Sequence, residues 1–297
     1  MTIGRFAPSP SGRMHLGNLF TALLAWLSVR AKGGKMLLRI EDLDPDRSKQ
    51  EYIDALRDDL SWLGLWWDEE MPLQSTRSER YAEAFDRLPT YPCYCSRSEL
   101  HVASAPHMSD GKLIYAGTCR DLSEEERKTK TRNPAWRVRV PDRTITFTDG
   151  VFGLQRENLA EECGDFIVRR SDGVYAYQLA VVCDDADGGL TEVVRGCDLM
   201  DSTPRQIWLY ETLGLPVPQF YHVPLLVAPD GKRLSKREKS LDMSHLRGRF
   251  QPETLIGYLA CLAGLIAKPV PVKAAELIEV FSWNKIGKEP ITVKTLL

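Results

Sequence analysis

Two short stretches concentrate the residues able to handle phosphate. The first, RFAPSPSGRMHLGN (Arg5 to Asn18), sets two prolines, paired serines and a glycine ahead of a lone histidine and an apolar run. A turn that meets the start of a helix offers unpaired backbone N–H groups and the positive end of the helix dipole, which suits phosphate. Gly12 and Gly17 let a ligand approach the backbone, Pro8 and Pro10 reduce the ordering entropy lost on binding, and His15 stands where it could donate to phosphate oxygens. A proline-rich turn with an exposed histidine is the plainer alternative. The second stretch, APDGKRLSKREKS (Ala228 to Ser240), carries five basic residues in the eight positions from Lys232 to Lys239, behind a Pro-Asp-Gly turn. Alone, such a run reads as a solvated face. Paired with a phosphate-binding helix start, it reads as a cationic clamp for a nucleoside triphosphate. Neither a Walker pattern nor GxGxxG accompanies them.

A third group has metal chemistry. Cys93-x-Cys95 and then Cys119 supply three soft ligands where tetrahedral zinc takes four. His101 and His107 lie between them, and spacing alone makes either the fourth; three free cysteines are the bland alternative. The seven cysteines of the chain do not form the pattern of a secreted disulfide framework.

The elements that must carry these groups read as α/β. A strand over Ile3 to Ala7 leads into a helix over Leu16 to Lys32, ended by Gly33-Gly34. A buried strand over Lys35 to Glu41 follows, then a helix through SKQEYIDALRDDLSWLGL, with Ser48 as its cap and Glu51 three residues on. This alternation predicts a parallel sheet flanked by helices, with sites at the C-terminal ends of its strands. Glu79 to Leu88 predicts a further helix. From 91 to 165 the pattern turns irregular, an inserted module with short β-like runs AWRVRVP and RTITFTD. The α/β texture then resumes, with strands expected over Val174 to Cys183 and Thr191 to Arg195 and a helix through DSTPRQIWLYETLGL. The expected organisation is a catalytic domain from 1–90 and 166–227, the insert at 91–165, and the lysine segment with a helical tail (LIGYLACLAGLI, AAELIEVFSW) at 228–297.

With 43% hydrophobic and 27% charged residues, a net charge of −2 and no apolar run near the ~18 residues of a membrane span, the composition is that of a globular protein. The N-terminus shows no secretory signal, so a cytoplasmic chain is expected. The near-neutral charge excludes a protein that coats nucleic acid indiscriminately. It leaves room for local basic clusters such as Arg127 to Arg132 and LRGRF (Leu246 to Phe250).

PSPSGRMHLGN is similar to the PSPTGxLHIG form of the HIGH motif, and DGKRLSKR to the DGKKLSKR form of the KMSKS motif. With RFAPSPSG, RIEDLD and VVRGCDLMDSTPRQIWL also matching, the chain resembles the class I aminoacyl-tRNA synthetases of the glutamyl type, over about residues 3 to 250. The resemblance implies a Rossmann-type fold and ATP-dependent activation of L-glutamate, with Mg²⁺ accompanying ATP. It places His15, Leu16, Gly17, Asn18 and Lys236 at ATP, with His15 and Lys236 catalytic, and Arg5, Phe6, Ala7, Pro8, Ser9, Glu41, Tyr177 and Arg195 at glutamate. Glu41 would pair with the substrate ammonium, and Arg195 and Arg5 with its side-chain carboxylate. The second motif departs from the family form at Arg233, where that form has Lys. YAGTC (Tyr115 to Cys119) resembles a metal site in which Tyr115 completes a structural zinc site with Cys93, Cys95 and Cys119. No anticodon-reading helical domain is expected after the lysine segment. This implies the short paralogue of the family, which activates glutamate without tRNA and transfers it to queuosine in the anticodon loop of tRNA(Asp). A truncated enzyme charging a tRNA 3′ end, and a non-catalytic paralogue that binds RNA or nucleotide, are the alternatives. Nothing in the composition calls for more than a monomer.

Overall fold

A computed structural model describes residues 1–44, 46–96, 114–231 and 241–293. The parallel sheet begins with β1 (Ile3–Phe6), which runs beside β2 (Lys35–Leu38) in the register Ile3↔Lys35 to Phe6↔Leu38. Between them, α1 (Leu16–Arg30) is the crossover. His15 caps α1: its Nδ1 accepts the Gly17 N–H, and the Asn18 side chain accepts the His15 N–H in return. Leu16, Leu19, Leu23, Leu24 and Leu27 on this helix are fully buried, each worth about 1.5–3 kcal/mol of transfer free energy.

The helix α2 (Gln50–Trp62) returns the chain to β3 (Glu69–Glu70), which pairs with β2. The expected Ser48 cap is corrected here. The helix starts from Lys49 with no side-chain cap, and the Ser48 amide donates instead to Asp44 O at 3.0 Å, turning back on the preceding loop.

After α3 (Ser78–Asp86), β4 (Thr90–Cys93) enters the insert. The short, acid-first α4 (Glu124–Lys128) is capped by a Ser123/Glu126 box. Strands β5 (Ala135–Val138) and β8 (Ile167–Arg169) join β4 in an antiparallel sheet of order β4-β5-β8. Between β5 and β8, β6 (Thr144–Asp149) and β7 (Gly153–Asn158) form a hairpin.

The expected strand over Val174 to Cys183 is instead the start of a helix, α5 (Tyr177–Asp187). Its residues from Leu179 to Cys183 are an unbroken apolar run, all buried, with no 3.6-residue period to tell it from a buried strand. Parallel strands β9 (Glu192–Gly196) and β10 (Gln219–Val223) follow, linked by α6 (Thr203–Leu213) with proline in its first turn. Thr191 N–H donates to Ile3 O at 2.9 Å and Arg5 Nη1 to Val194 O at 3.0 Å, which seats β9 against β1.

Strand β11 (Leu226–Val227) precedes the lysine segment, and α7 (Met243–Arg249) and α8 (Pro252–Leu262) come after it. The expected helix through AAELIEVFSW is only two single-turn pieces, Ala274–Leu277 and Trp283–Lys285. Side-chain anchors hold this path: Trp283 stacks on Tyr221 at 4.5 Å between centroids and donates to Ser28 Oγ at 3.1 Å. The closing strand β12 (Ile291–Thr292) pairs with β11. Among the described residues no helix is long and apolar enough to cross a membrane.

Candidate active site

A cleft of about 720 Å³ opens where β1, β2, β9 and β10 end, between the first turn of α1 and the start of α5. Such a position, at the carboxyl edge of a parallel sheet, is where ligands bind in open α/β folds. Arg5, Phe6, Ala7, Pro8, Ser9, His15, Gly17, Asn18, Glu41, Tyr177 and Arg195 all line it. Leu16 does not; its side chain is fully buried in the core. Lys236, His101 and His107 lie outside the described residues.

The geometry at His15 assigns its proton. Because Nδ1 accepts the Gly17 amide at 3.2 Å, the neutral ring carries hydrogen on Nε2, a donor. The Asn18 amide is taken by the His15 carbonyl at 2.9 Å. The Gly17 and Asn18 amides at this end of α1 are therefore already engaged within the cap. A Cβ at Gly17 would stand 3.1 Å from the imidazole Cε1, a tight contact to which the ring would have to yield by a few tenths of an ångström. Gly12, at φ +147°, turns the chain through a conformation that L side chains rarely adopt.

The lysine segment is bracketed by this turn. Leu226 lines the cleft on the entering side, and on the leaving side Met243 N–H donates to Met14 O at 2.9 Å, with Asp242 bridged to His15. A single buried carboxylate ties the two stretches further. Asp59 on α2 accepts from Arg13 Nη2 at 2.6 Å and from Arg247 Nη1 at 3.0 Å, while Arg247 lies over the Trp62 ring. Burial pushes the Asp59 carboxyl up, and the two guanidiniums pull it back down.

Arg5 and Arg195 line the cleft, and a third guanidinium, Arg39, is buried against Glu41. Arg39, fully buried, donates from Nη2 to Glu41 Oε1 at 2.9 Å and from Nη1 to Asp185 Oδ1. Arg5 lies 3.4 Å from the same Asp185 oxygen, and Tyr210 Oη donates to the other at 3.0 Å. Against its burial, Arg39 and Arg5 hold Asp185 below the usual carboxylate range. Burial pushes the Glu41 carboxyl up despite Arg39 and Arg5, and burial with Glu41 alongside raises the Tyr177 phenol.

Arg195 differs from the other two. Its exposure is 4%, and among the described residues no carboxylate lies within 4 Å of it. Instead Nε donates to His222 Nε2 at 3.0 Å, Nη1 to Gln206 Oε1 at 2.7 Å and Nη2 to Thr203 Oγ1 at 2.8 Å. Burial holds its pKa below the ordinary arginine value. A guanidinium has five N–H donors, so one on each Nη remains beyond these three bonds. A buried cation without a directly contacting anion is costly unless a ligand brings one.

The cysteine cluster is a separate centre at the end of β4. The Cys93, Cys95 and Cys119 sulfurs all lie within 4.8 Å of one another, and such a group could hold a metal ion. Tyr115 Oη sits 3.5 Å from Cys93 Sγ and 3.9 Å from Cys95 Sγ, and Cys95 Sγ lies 3.5 Å from Cys119 Sγ. Zinc–sulfur bonds of ~2.3 Å in a tetrahedron separate the sulfurs by ~3.8 Å, so the donor set has the right size. Tyr115 is held in place by the Cys119 amide, which donates to Oη at 2.7 Å, and by the Arg137 guanidinium, stacked 3.8 Å from its ring centroid.

Reading the sequence missed Arg39, Asp185, Asp59, His222, Asp149, Thr203 and Gln206. Arg39 sits inside RIEDLD, two residues before Glu41, the i, i+2 spacing that puts two side chains on one face of an extended segment; that signal could have found it. The others had no local signal.

Residues 2–294 match the family described as tRNA synthetases class I (E and Q), catalytic domain. The chain is 49% identical to the Glutamyl-Q tRNA(Asp) synthetase of Symbiobacterium thermophilum, over 99% of this chain and 96% of that one. It is 48% identical to the protein of that name from Nitratidesulfovibrio vulgaris, over 98% and 95%. In three dimensions it is similar to the glutamate-tRNA synthetase of Elizabethkingia anophelis, with a TM-score of 0.84 at 27% identity, covering 99% of this chain and 68% of that one.

Proposed function

The chain belongs to the class I tRNA synthetase family of the E and Q type. On that premise we propose that it condenses L-glutamate with ATP to glutamyl-adenylate without RNA, then passes the glutamyl group to queuosine in the anticodon loop of tRNA(Asp). The observation that carries the amino acid is Arg195, a buried cation with two N–H donors to spare, across the cleft from Glu41. The name shared by the relatives supports the acceptor.

An oxygen of the glutamate α-carboxylate attacks the α-phosphorus of ATP, the bond to the bridging oxygen breaks, and pyrophosphate leaves with that electron pair. Such chemistry asks the protein for positioning and charge stabilisation. Glu41, kept next to Arg39, pairs with the substrate ammonium. Arg195, with Arg5 beside it, takes the side-chain carboxylate in two hydrogen bonds; glutamine would set an NH₂ against one of those donors. Phe6, Ala7, Pro8 and Ser9 form the wall between this pocket and the nucleotide. His15 donates from Nε2 to the phosphates, and Lys236 stabilises charge at the α-phosphate. Mg²⁺ arrives with ATP.

Labelled glutamate should load tRNA(Asp) that contains queuosine and leave the same tRNA with guanosine there unloaded. Equal loading of both would point to a 3′ end as acceptor.

We further propose that the cysteine cluster is a structural zinc site with Tyr115 as fourth ligand. Zinc there would cross-link the start of the insert, at Cys93 and Cys95, to its Tyr115 to Cys119 stretch. Tyr115→Phe should lower zinc affinity by about tenfold or more, measured by competition with a chromophoric chelator. An unchanged affinity removes Tyr115 from the ligand set.

A further inference from the structure

The partner of Arg195 is itself tightly specified. A guanidinium only donates, so His222 Nε2, 3.0 Å from Arg195 Nε, must present its lone pair. The ring proton then sits on Nδ1, 2.7 Å from Asp149 Oδ2, and is donated to that carboxylate. Both side chains are fully buried, and burial keeps the imidazole pKa below its ordinary value, hence neutral. Asp149 is fixed in turn, since its Oδ1 accepts the amides of Val151 and Phe152, each at 2.9 Å. It closes β6, so the hairpin that follows β5 reaches back to hold a residue of the parallel sheet.

We propose that Asp149 and His222 are positioning residues for glutamate: through a fixed imidazole tautomer they hold the plane of Arg195 so that its two remaining N–H donors meet the substrate carboxylate. The proposal rests on the glutamate reading of the cleft. His222 on β10 and the pair Gln206 and Thr203 on α6 grip the guanidinium from separate elements, at each of its three nitrogens. Removing one grip lets the plane rotate.

Asp149→Asn tests the tautomer with little change of shape. The asparagine oxygen, in the place of Oδ1, can still accept the amides of Val151 and Phe152 and, at 3.3 Å, that of His222, but its NH₂ now faces His222 Nδ1. The ring proton moves to Nε2 and opposes the Arg195 Nε–H, donor against donor. In glutamate-dependent ATP–pyrophosphate exchange, the KM for glutamate should rise about 10- to 100-fold while the KM for ATP stays within about twofold. His222→Leu should act alike, and His222→Gln, whose amide oxygen can accept the Arg195 proton, should recover most of the loss. ¹⁵N NMR of the ligand-free protein should show His222 as the Nδ1–H tautomer, converted to Nε2–H by Asp149→Asn. A wild-type glutamate KM in both Asp149→Asn and His222→Leu overturns the proposal, as does an equal rise in both KM values or an Nε2–H tautomer in the wild type. Absence of glutamate-dependent exchange in the wild type would instead overturn the glutamate reading, and this proposal with it.

Discussion

Arg195→Leu is expected to lower kcat/KM for glutamate in ATP–pyrophosphate exchange by about two to three orders of magnitude, a loss of about 3–4 kcal/mol. The magnitude follows from burial. In the proposed complex the substrate carboxylate would meet Arg195, a cation at 4% exposure that is already desolvated and already oriented by three hydrogen bonds. In the variant the carboxylate would be stripped of water with only Arg5, already engaged by Asp185 and the Val194 carbonyl, left to meet it. Arg195→Lys keeps the charge and loses the fork, so it should recover only part of the activity. Because no carboxylate of the protein lies within 4 Å of Arg195 among the described residues, its removal strands no internal anion, and the melting temperature should fall far less than the activity does. Retention of wild-type kcat/KM would take Arg195 out of the pocket.

Lys236→Ala should reduce kcat for adenylate formation by about 10²- to 10³-fold with the KM for glutamate unmoved. The lysine would meet charge that develops on the α-phosphate as the attacking bond forms, so its contact strengthens in the transition state. Its own position lies outside the described residues. The flanks carry the argument: Met243 donates to Met14, Asp242 bridges to His15, and Arg247 shares Asp59 with Arg13. The chain therefore resumes, directly after the segment, beside the turn that holds His15. A rise in glutamate KM with unchanged kcat would move Lys236 from the reacting phosphate to substrate binding.

Asp59 explains why two stretches over 200 residues apart can act on one ligand. Arg13 belongs to the first turn and Arg247 to α7, and one carboxylate on α2 orients both. Both arginines lie in stretches that the sequence marks, Arg13 in the first turn and Arg247 in LRGRF, but nothing along the chain marks the partner they share.

The amino-acid sequence by itself determined the parts whose chemistry is contiguous. The turn from Arg5 to Asn18, the lysine run and the Cys-x-Cys spacing are readable because phosphate and metal chemistry demand particular residue types close together along the chain. The alternation of β1, α1, β2 and α2 is readable because α1 is too long for a strand and ends at Gly33-Gly34, and α2 keeps an exposed polar face. Tertiary structure alone decided the rest. Helix α5 was misread as a strand because burial on every side erases periodicity. The Asp149, His222 and Arg195 chain joins residues separated by up to 73 positions, and Arg39 finds Asp185 across 146. A buried charge tolerates almost any sequence around it so long as the fold delivers a partner, and delivery depends on how whole elements pack. The residue types that bind were legible along the chain; the residues that hold them still were settled only where the elements meet.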